Sequence, residues 1–183
     1  MEYRKTIRLK DGRECMLRHA TQEDARGVLD CFVLTHAETD YLTTLPSEVS
    51  FTVEQEAEFL KKKAGSADEI EILAELDGKV VGTAGIDRVR ANEKLRHRAG
   101  FGISVERDCW GLGVGRAMTE ACIACAKTAG YAQLELEVVA DNARAIALYR
   151  SVGFEEYGRN PRGFRSPLSG WQTLVLMRLE LDG

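Results

Sequence analysis

Three glycines, Gly111, Gly113 and Gly115, stand at alternate positions between an apolar segment and a helical one. Glycine has no Cβ, so it adopts left-handed backbone conformations and leaves its N–H groups accessible. Such groups at the start of a helix, helped by the helix dipole, bind phosphate oxygens. The stretch Cys109-Trp110-Gly111-Leu112-Gly113-Val114-Gly115-Arg116 therefore predicts a phosphate site, with a tight turn that binds nothing as the alternative.

The spacing of these glycines fits neither of two common nucleotide-binding motifs. A P-loop ends in lysine followed by serine or threonine, and no such pair stands at the required spacing from these glycines. A dinucleotide fingerprint that starts at Gly111 would place its third glycine at Arg116, although Glu135 lies near the position of the expected acidic residue. A nucleotide-binding module is thus the weakest of the functions considered.

A second pair of polar residues, Asn142 and Tyr149, lies downstream in a helical segment. They are seven residues apart, which is two helical turns, so both project from one face. An amide and a phenol placed in this way can contact one ligand at two points along the helix axis. The alternative is that Asn142 only caps the helix and Tyr149 only packs in the core.

Together these two motifs resemble those of the GNAT superfamily of N-acetyltransferases, which transfer an acetyl group from acetyl-CoA to an amine. The superfamily's phosphate loop, Q/R-x-x-G-x-G/A, is similar to the segment 110–115. Its run N-x-x-A-x-x-x-Y-x-x-x-G-F is matched at Asn142, Ala145, Tyr149, Gly153 and Phe154. The order of elements also fits from about Arg13 to Leu181.

One position departs from the superfamily pattern, because Trp110 replaces the usual glutamine or arginine. Trp-Gly at this point resembles the branch that includes ribosomal-protein N-terminal acetyltransferases and spermidine acetyltransferases. Phosphate binding by backbone amides does not depend on this side chain.

The resemblance implies a role for each matched residue. The backbone of Ile103, Ser104 and Val105 would pair with the pantetheine arm of acetyl-CoA, and Asn142 would bond the same arm. Tyr149 would be the general acid that protonates the leaving thiolate. The pyrophosphate would be held by the N–H groups of Gly111, Leu112, Gly113, Val114, Gly115 and Arg116.

The residues leave the general base and the acceptor open. Glu71, Glu75 and His97 are candidates for the base, and a chain of water molecules is an alternative. Two loops should flank the acetyl end of the site. The loop His36–Ser50 carries Glu38 and Asp40, which suit a cationic amine. The loop Arg159–Gly170, by contrast, suits an anionic group, and it carries Arg159, Arg162, Arg165 and Phe164, with Trp171 immediately after it.

Length and composition are those of one globular domain, residues 1–183. The net charge of −4 disfavours nucleic acid as a partner, and no segment reads as a signal peptide or a membrane span. We expect a cytoplasmic enzyme without a metal, acting on a small amine, a polyamine or a protein amino terminus. Homodimers are common in the superfamily, although no segment of this sequence specifies an interface. A non-catalytic acyl-CoA sensor of the same fold is the alternative.

The five cysteines predict no disulfide framework. Cys122 and Cys125 form a C-x-x-C pair, but both fall on the apolar stripe of a helix. Core packing is therefore favoured over metal or redox chemistry.

The elements that must position these residues follow from periodicity and turn signals. Asp11-Gly12 and Asp77-Gly78 predict type I′ hairpins, and capping boxes begin helices after Thr21 and Thr52. A helix should run over residues 113–129 and another over about 142–152. The predicted order, β-β-α-α-β-β-β-α-β-α-β-β, indicates a single-domain α/β fold with a mixed, mostly antiparallel sheet flanked by helices.

Overall fold

The computed structural model describes residues 1–181, and its elements follow the predicted order. Alternating apolar residues form strands, and glycines end helices, as the sequence predicts. Both predicted hairpins and all four predicted helices occur in the expected order along the chain. The strands are β1 Arg4–Arg8, β2 Glu14–His19, β3 Ile70–Leu76, β4 Lys79–Arg88, β5 Arg98–Val105, β6 Gln133–Val139, β7 Glu155–Ser166 and β8 Gly170–Glu180. The helices are α1 Ala25–Glu38, α2 Val53–Ala64, α3 Val114–Thr128 and α4 Ala143–Ser151.

The eight strands form one sheet in the order β1-β2-β3-β4-β5-β6-β8-β7. Neighbouring strands are antiparallel except for β5 and β6, which run parallel. The predicted mixed, mostly antiparallel sheet is thus confirmed. The parallel pairing covers only three residues of each strand and ends at Gly100 opposite Glu135, so the two strands separate beyond that point.

Two apolar clusters cover the two faces of the sheet. Alternation along β3 decides which residue joins which cluster: Ile72 packs with α3, whereas Leu73 packs with α1 and α2. Cys122 and Cys125 are buried free thiols of α3 in the larger cluster, which confirms their role in core packing.

Local signals fix several boundaries. Thr52 caps α2 as predicted, because its hydroxyl accepts the Gln55 N–H and the Gln55 side chain accepts the Thr52 N–H. Asp24 accepts from the Thr21 N–H, but the turn that it closes is a 3₁₀ turn just ahead of α1. Asp77-Gly78 has positive φ at both residues, as a type I′ turn requires.

Three predicted boundaries are wrong. Asp11-Gly12 is not a type I′ turn, because only Gly12 has positive φ and the connection is longer. Helix α1 continues to Glu38, so the polar loop starts at Thr39. The predicted loop 159–170 is mostly strand, because β7 runs on to Ser166 and pairs with β8 despite its prolines, glycines and arginines. Two irregularities in this pairing accommodate those residues.

Candidate active site

A cavity of about 350 Å³ lies between α1, the end of β5, the glycine turn and α4. It collects most of the residues that the sequence assigns to cofactor binding. Ile103, Ser104 and Val105 line it from β5. The turn, α3 and α4 contribute Gly111, Gly113, Gly115, Arg116, Asn142 and Tyr149. The side chains of Leu112 and Val114 do not line this cavity, so any contribution from them is through the backbone.

The glycine turn has the backbone that phosphate binding requires. Gly111 and Gly113 have φ values of 78° and 106°, in the left-handed region that disfavours other residues. A Cβ at either position would meet no atom within 4 Å, so the space in front of their backbone is open. Gly113 is also the N-cap of the 15-residue helix α3, whose dipole therefore points at this space.

The separation of β5 from β6 creates a second binding feature. Because the pairing with β6 ends at Gly100, the outer edge of β5 has no strand partner at Ile103 to Val105. On its other edge the same segment pairs with β4. An unpaired strand edge can accept an extended chain of amide groups, as an added strand would.

Trp110 ties the glycine turn to this edge. Its indole Nε1 donates a hydrogen bond to the Val105 carbonyl at 2.7 Å. The Arg144 guanidinium lies 4.0 Å from the centre of the indole ring, and Arg107 also lies over the ring. The substitution of tryptophan for the superfamily residue therefore has a structural role: it fixes the loop and places an arginine on the cavity wall.

Tyr149 lies at the inner end of the cavity and is 9% exposed. Its ring packs edge-on against Phe101 and near Phe154. Burial raises the pKa of its phenol to about 12. The hydroxyl is thus protonated at neutral pH and can donate a hydrogen bond or a proton.

Asn142 and Arg116 each make a structural contact as well. The Asn142 side-chain oxygen accepts the Ala145 N–H at 3.2 Å and caps α4, which leaves its amide NH₂ for a ligand. Arg116 donates to the Ser151 hydroxyl at 2.7 Å and lies near Glu120. The turn and the two helix starts therefore surround the cavity with donors.

A second cavity, of about 410 Å³, meets the first. The residues common to both walls are Tyr41, Leu42, Ile103, Ser104, Asn142 and Tyr149. Gly102 lines the second cavity, and a Cβ there would meet nothing within 4 Å. The pairing of β4 with β5 is regular through Gly100 and Gly102, so β5 has no bulge at these two glycines.

The second cavity carries three carboxylates from three strands: Glu71 on β3, Asp87 on β4 and Glu137 on β6. Lys63 of α2, which is 4% exposed, lies 2.9 Å from both Glu71 and Asp87. Burial raises the pKa of Glu71, and the Lys63 ammonium opposes that rise. Burial also disfavours the charge on Lys63, but the two carboxylates outweigh it and raise the pKa of the ammonium.

The lack of a side chain at Gly85 leaves room for the Lys63–Glu71 ion pair against the sheet. A Cβ at Gly85 would lie 2.5 Å from the Glu71 carboxylate and 2.8 Å from the Lys63 ammonium. Any larger residue would displace one of the two groups.

His36 is a cavity residue that sequence reasoning missed, because α1 was expected to end before it. It is 7% exposed and stacks on Phe32 with ring centres 3.7 Å apart. Its Nδ1 donates to the Phe32 carbonyl at 2.7 Å. Burial lowers the pKa of the imidazole, so the ring is neutral at pH 7 and its Nε2 is an acceptor. The four-residue spacing from Phe32 on a longer helix was the available signal.

Of the three candidates for the general base, the structure brings only Glu71 to the second cavity. Glu75 pairs with Arg18 at 2.9 Å on another part of the sheet, and His97 is exposed just before β5. Glu135, noted for the dinucleotide fingerprint, pairs with Arg98.

The charged residues of the two flanking loops have partners elsewhere. Glu38 accepts the Arg107 N–H at 2.7 Å, and Arg159 pairs with Glu156. Asp40 accepts hydrogen bonds from the β7–β8 hairpin. Arg162 and Arg165 lie over the exposed ring of Trp171. Phe164, by contrast, does line the second cavity.

The profile of the acetyltransferase (GNAT) family matches residues 33–154, more than half of the chain and all of the glycine turn and α4. The chain belongs to the GNAT family of acetyltransferases. Both sequence motifs and both cavities of this acetyltransferase lie largely within the matched segment.

Known relatives of this GNAT enzyme include several acetyltransferases. It is 40% identical over 82 residues to the ribosomal protein bS18 alanine N-acetyltransferase of Escherichia coli, a match that covers 45% of this chain and 55% of the relative. The chain spans 55% or less of the first curated relatives that it matches.

Solved structures of the family have the same fold. A GNAT acetyltransferase from Streptococcus pneumoniae superposes with a TM-score of 0.86 at 28% identity, covering 91% of this chain and 99% of the other. The YncA protein of Salmonella typhimurium, solved with acetyl-CoA, gives a TM-score of 0.81 at 20% identity and covers 92% and 95%.

Within residues 1–181, no helix is long and apolar enough to cross a membrane. The same part of the chain holds no group of three or more His, Cys, Asp or Glu side chains arranged to bind a metal ion.

Proposed function

We propose that this GNAT acetyltransferase transfers the acetyl group of acetyl-CoA to a primary amine by direct attack in a ternary complex. The observation that carries the proposal is that two cavities share the walls formed by Tyr149, Asn142 and the Ile103–Ser104 backbone. One cavity suits a phosphorylated thioester and the other an amine, so their junction is where acetyl transfer would occur.

The first cavity fits the shape and chemistry of acetyl-CoA. Open space in front of the left-handed Gly111 and Gly113 leaves room for a pyrophosphate at the start of α3. The unpaired edge of β5 at Ile103, Ser104 and Val105 would bind the amides of the pantetheine arm, with the Asn142 amide beside them. Arg116 and Arg144 add positive charge on the cavity wall.

Tyr149 is assigned the role of general acid. Its buried phenol keeps its proton at neutral pH and stands at the junction of the cavities. When the amine attacks the thioester carbon and the C–S bond breaks, this hydroxyl can donate its proton to the departing thiolate.

Glu137 is assigned the role of proton acceptor on the amine side. Only a neutral amine attacks a thioester, so an ammonium must first lose its proton. Glu71 and Asp87 are held by Lys63, whereas Glu137 makes no ion pair among the described residues. Its carboxylate is therefore available to take the proton, directly or through water.

A panel of amines tests this function. Purified protein is incubated with acetyl-CoA and single amines (alkylamines, polyamines and peptides with free amino termini), and the release of free thiol is followed. We expect turnover with at least one amine and calorimetric binding of acetyl-CoA without it. Binding without turnover for every amine would instead indicate an acyl-CoA sensor, and protection against thermal unfolding by ATP or NAD but not by CoA would indicate a nucleotide-binding module.

A further inference from the structure

The second cavity differs in the sign of its charge from the first cavity, whose wall carries Lys10, Arg116 and Arg144. Its three carboxylates, Glu71, Asp87 and Glu137, face one shared space, and the nearest ammonium, Lys63, is already paired with two of them. Three carboxylates against one ammonium leave the charge negative. No arginine or lysine lines this cavity in the described part of the chain.

His36 points to a ligand independently of the carboxylates. It is more than nine-tenths buried, it lines the same cavity, and its Nδ1 is used by the Phe32 carbonyl. Its Nε2 has no protein partner among residues 1–181. As a neutral ring it supplies an acceptor and no positive charge, so it fits an N–H donor on the ligand.

The two arginines that flank Phe164 in β7 contact another residue instead. Arg162 and Arg165 lie 5.3 and 5.4 Å from the centre of the Trp171 ring, on the exposed hairpin, and neither lines the cavity. An α-carboxylate bound beside the amine would therefore find no cationic partner among the described residues of this wall and would face carboxylates of the same charge. A buried or partly buried anion without a partner is strongly disfavoured.

Apolar side chains make up part of the remaining wall, beside the polar Tyr41, Thr43, Thr83, Ser104 and Asn142. Phe32, Phe101, Leu136, Val138 and Phe164 line the cavity around the polar groups. Such a wall suits a hydrocarbon side chain next to the amine.

We propose that the second cavity selects amines that carry no carboxylate on the adjacent carbon and that it rejects free amino acids. An amidated or peptide-bonded amino terminus with an apolar side chain is an amine of the selected kind. This inference rests on the proposed transferase function. Glu71, Asp87 and Glu137 would attract the ammonium, and His36 would accept one N–H.

Three compounds with one side chain test the selection: leucinamide, leucine and isopentylamine. The α-amine of a peptide has a pKa near 7.8 and an alkylamine one near 10.4, so the two carboxylate-free compounds bracket the basicity of the set. We expect kcat/KM per neutral amine to be at least about tenfold higher for both of them than for leucine. Equal or higher kcat/KM for leucine would overturn the inference while leaving the transferase function intact.

Binding provides an answer that does not depend on turnover. The affinity of each compound for the CoA-loaded protein is measured by calorimetry, with leucine expected to bind at least about tenfold more weakly. Absence of turnover with all three compounds would count against the proposed function only. Failure of leucinamide and isopentylamine to bind at about 10 mM, or leucine binding as tightly as they do, would overturn the inference.

A variant that removes one carboxylate charge from the second cavity tests whether this cavity causes the selection. Asp87→Asn should narrow the preference for leucinamide over leucine severalfold. Glu58→Gln, at an exposed position of α2 outside both cavities, makes the same change in charge and should leave the preference unaltered. An unchanged preference in Asp87→Asn, verified as folded by its thermal unfolding, would contradict the assignment.

Discussion

At the scale of single residues, the chemistry depends on what burial does to ordinary side chains. Tyr149 is a phenol whose pKa is raised to about 12 because it is removed from water between Phe101 and α4. His36 is kept neutral by the same cause acting on a base. Burial thus keeps the Tyr149 phenol protonated, as the proposed acid, and keeps the His36 ring neutral, as a hydrogen-bond acceptor.

Replacement of Tyr149 by phenylalanine removes the proposed acid without removing the ring. We expect kcat to fall by about ten- to a thousandfold, because the thiolate then leaves without a proton, while the affinity for acetyl-CoA stays the same. Thiol-release kinetics and calorimetry measure the two quantities. Tyr157→Phe, at an exposed position of β7, is the control, and an unchanged kcat in Tyr149→Phe would exclude the role.

The raised pKa of Tyr149 also predicts the pH profile. The rate should rise with pH as the amine loses its proton, and it should not decline below about pH 10, since the buried phenol keeps its proton there. The measurement is kcat from about pH 7 to 10, corrected for spontaneous hydrolysis of the thioester. A falling limb with a midpoint at or below about pH 10 would show that a different group supplies the proton.

At the scale of elements, the proposed cofactor site lies where regular secondary structure ends. Strands β5 and β6 pair for three residues and then separate, and α3 begins directly after a turn with two left-handed glycines. Each of these ends leaves backbone groups unpaired. Those groups add backbone donors and acceptors to the polar side chains of the first cavity wall.

Gly113 allows the role of one such end to be tested. Gly113→Ala places a Cβ on a left-handed residue, which should lower the free energy of unfolding by about 1–2 kcal/mol. It should also weaken acetyl-CoA binding, because the N-cap backbone must shift. Gly130→Ala, at φ 81° after α3, carries the same conformational cost but lies outside the cavity. Denaturation and calorimetry on both variants should show similar losses of stability and a loss of affinity only for Gly113→Ala; equal affinities would exclude the turn as the phosphate site.

At the scale of the whole molecule, segments far apart in the sequence together form the wall of the second cavity. Asp40, after α1, accepts hydrogen bonds from Ser166 at 2.7 Å, Ser169 at 2.6 Å and Gln172 at 3.0 Å in the β7–β8 hairpin. The next two residues, Tyr41 and Leu42, line both cavities. Asp40 therefore holds the wall of the site in place and is not free to attract an amine.

Asp40→Ala should loosen that wall. Three donors lose their acceptor, so the free energy of unfolding should fall by about 1–3 kcal/mol. The KM for the amine should rise about three- to tenfold, because Tyr41 and Leu42 are no longer fixed. Thermal unfolding and steady-state kinetics test both effects, with Asp30→Ala on the exposed face of α1 as the control. A stable variant with an unchanged KM would show that the hairpin does not position the site.

Much of the fold could be predicted because its signals are local. Gly153 and the Asp77-Gly78 turn act through the φ values of their own residues, and Thr52 caps its helix through a partner three positions away. The two motifs of the proposed cofactor site are local in the same sense. The extension of β7 to Ser166 could not be predicted, because pairing with β8 overrides the weak strand propensity of its Pro/Gly/Arg-rich sequence.

The sequence by itself determined the order of elements, the glycine turn at the start of α3 and the alignment of Asn142 with Tyr149, since backbone conformation and helical spacing suffice for these. Only the tertiary structure decided that two cavities meet at Tyr149, that Lys63 pairs with both Glu71 and Asp87, and that His36 and Glu137 line the same cavity. These contacts connect residues from separate strands and helices, and they depend on strand register and on the angle at which helices pack. Neither quantity is contained in any short stretch of residues.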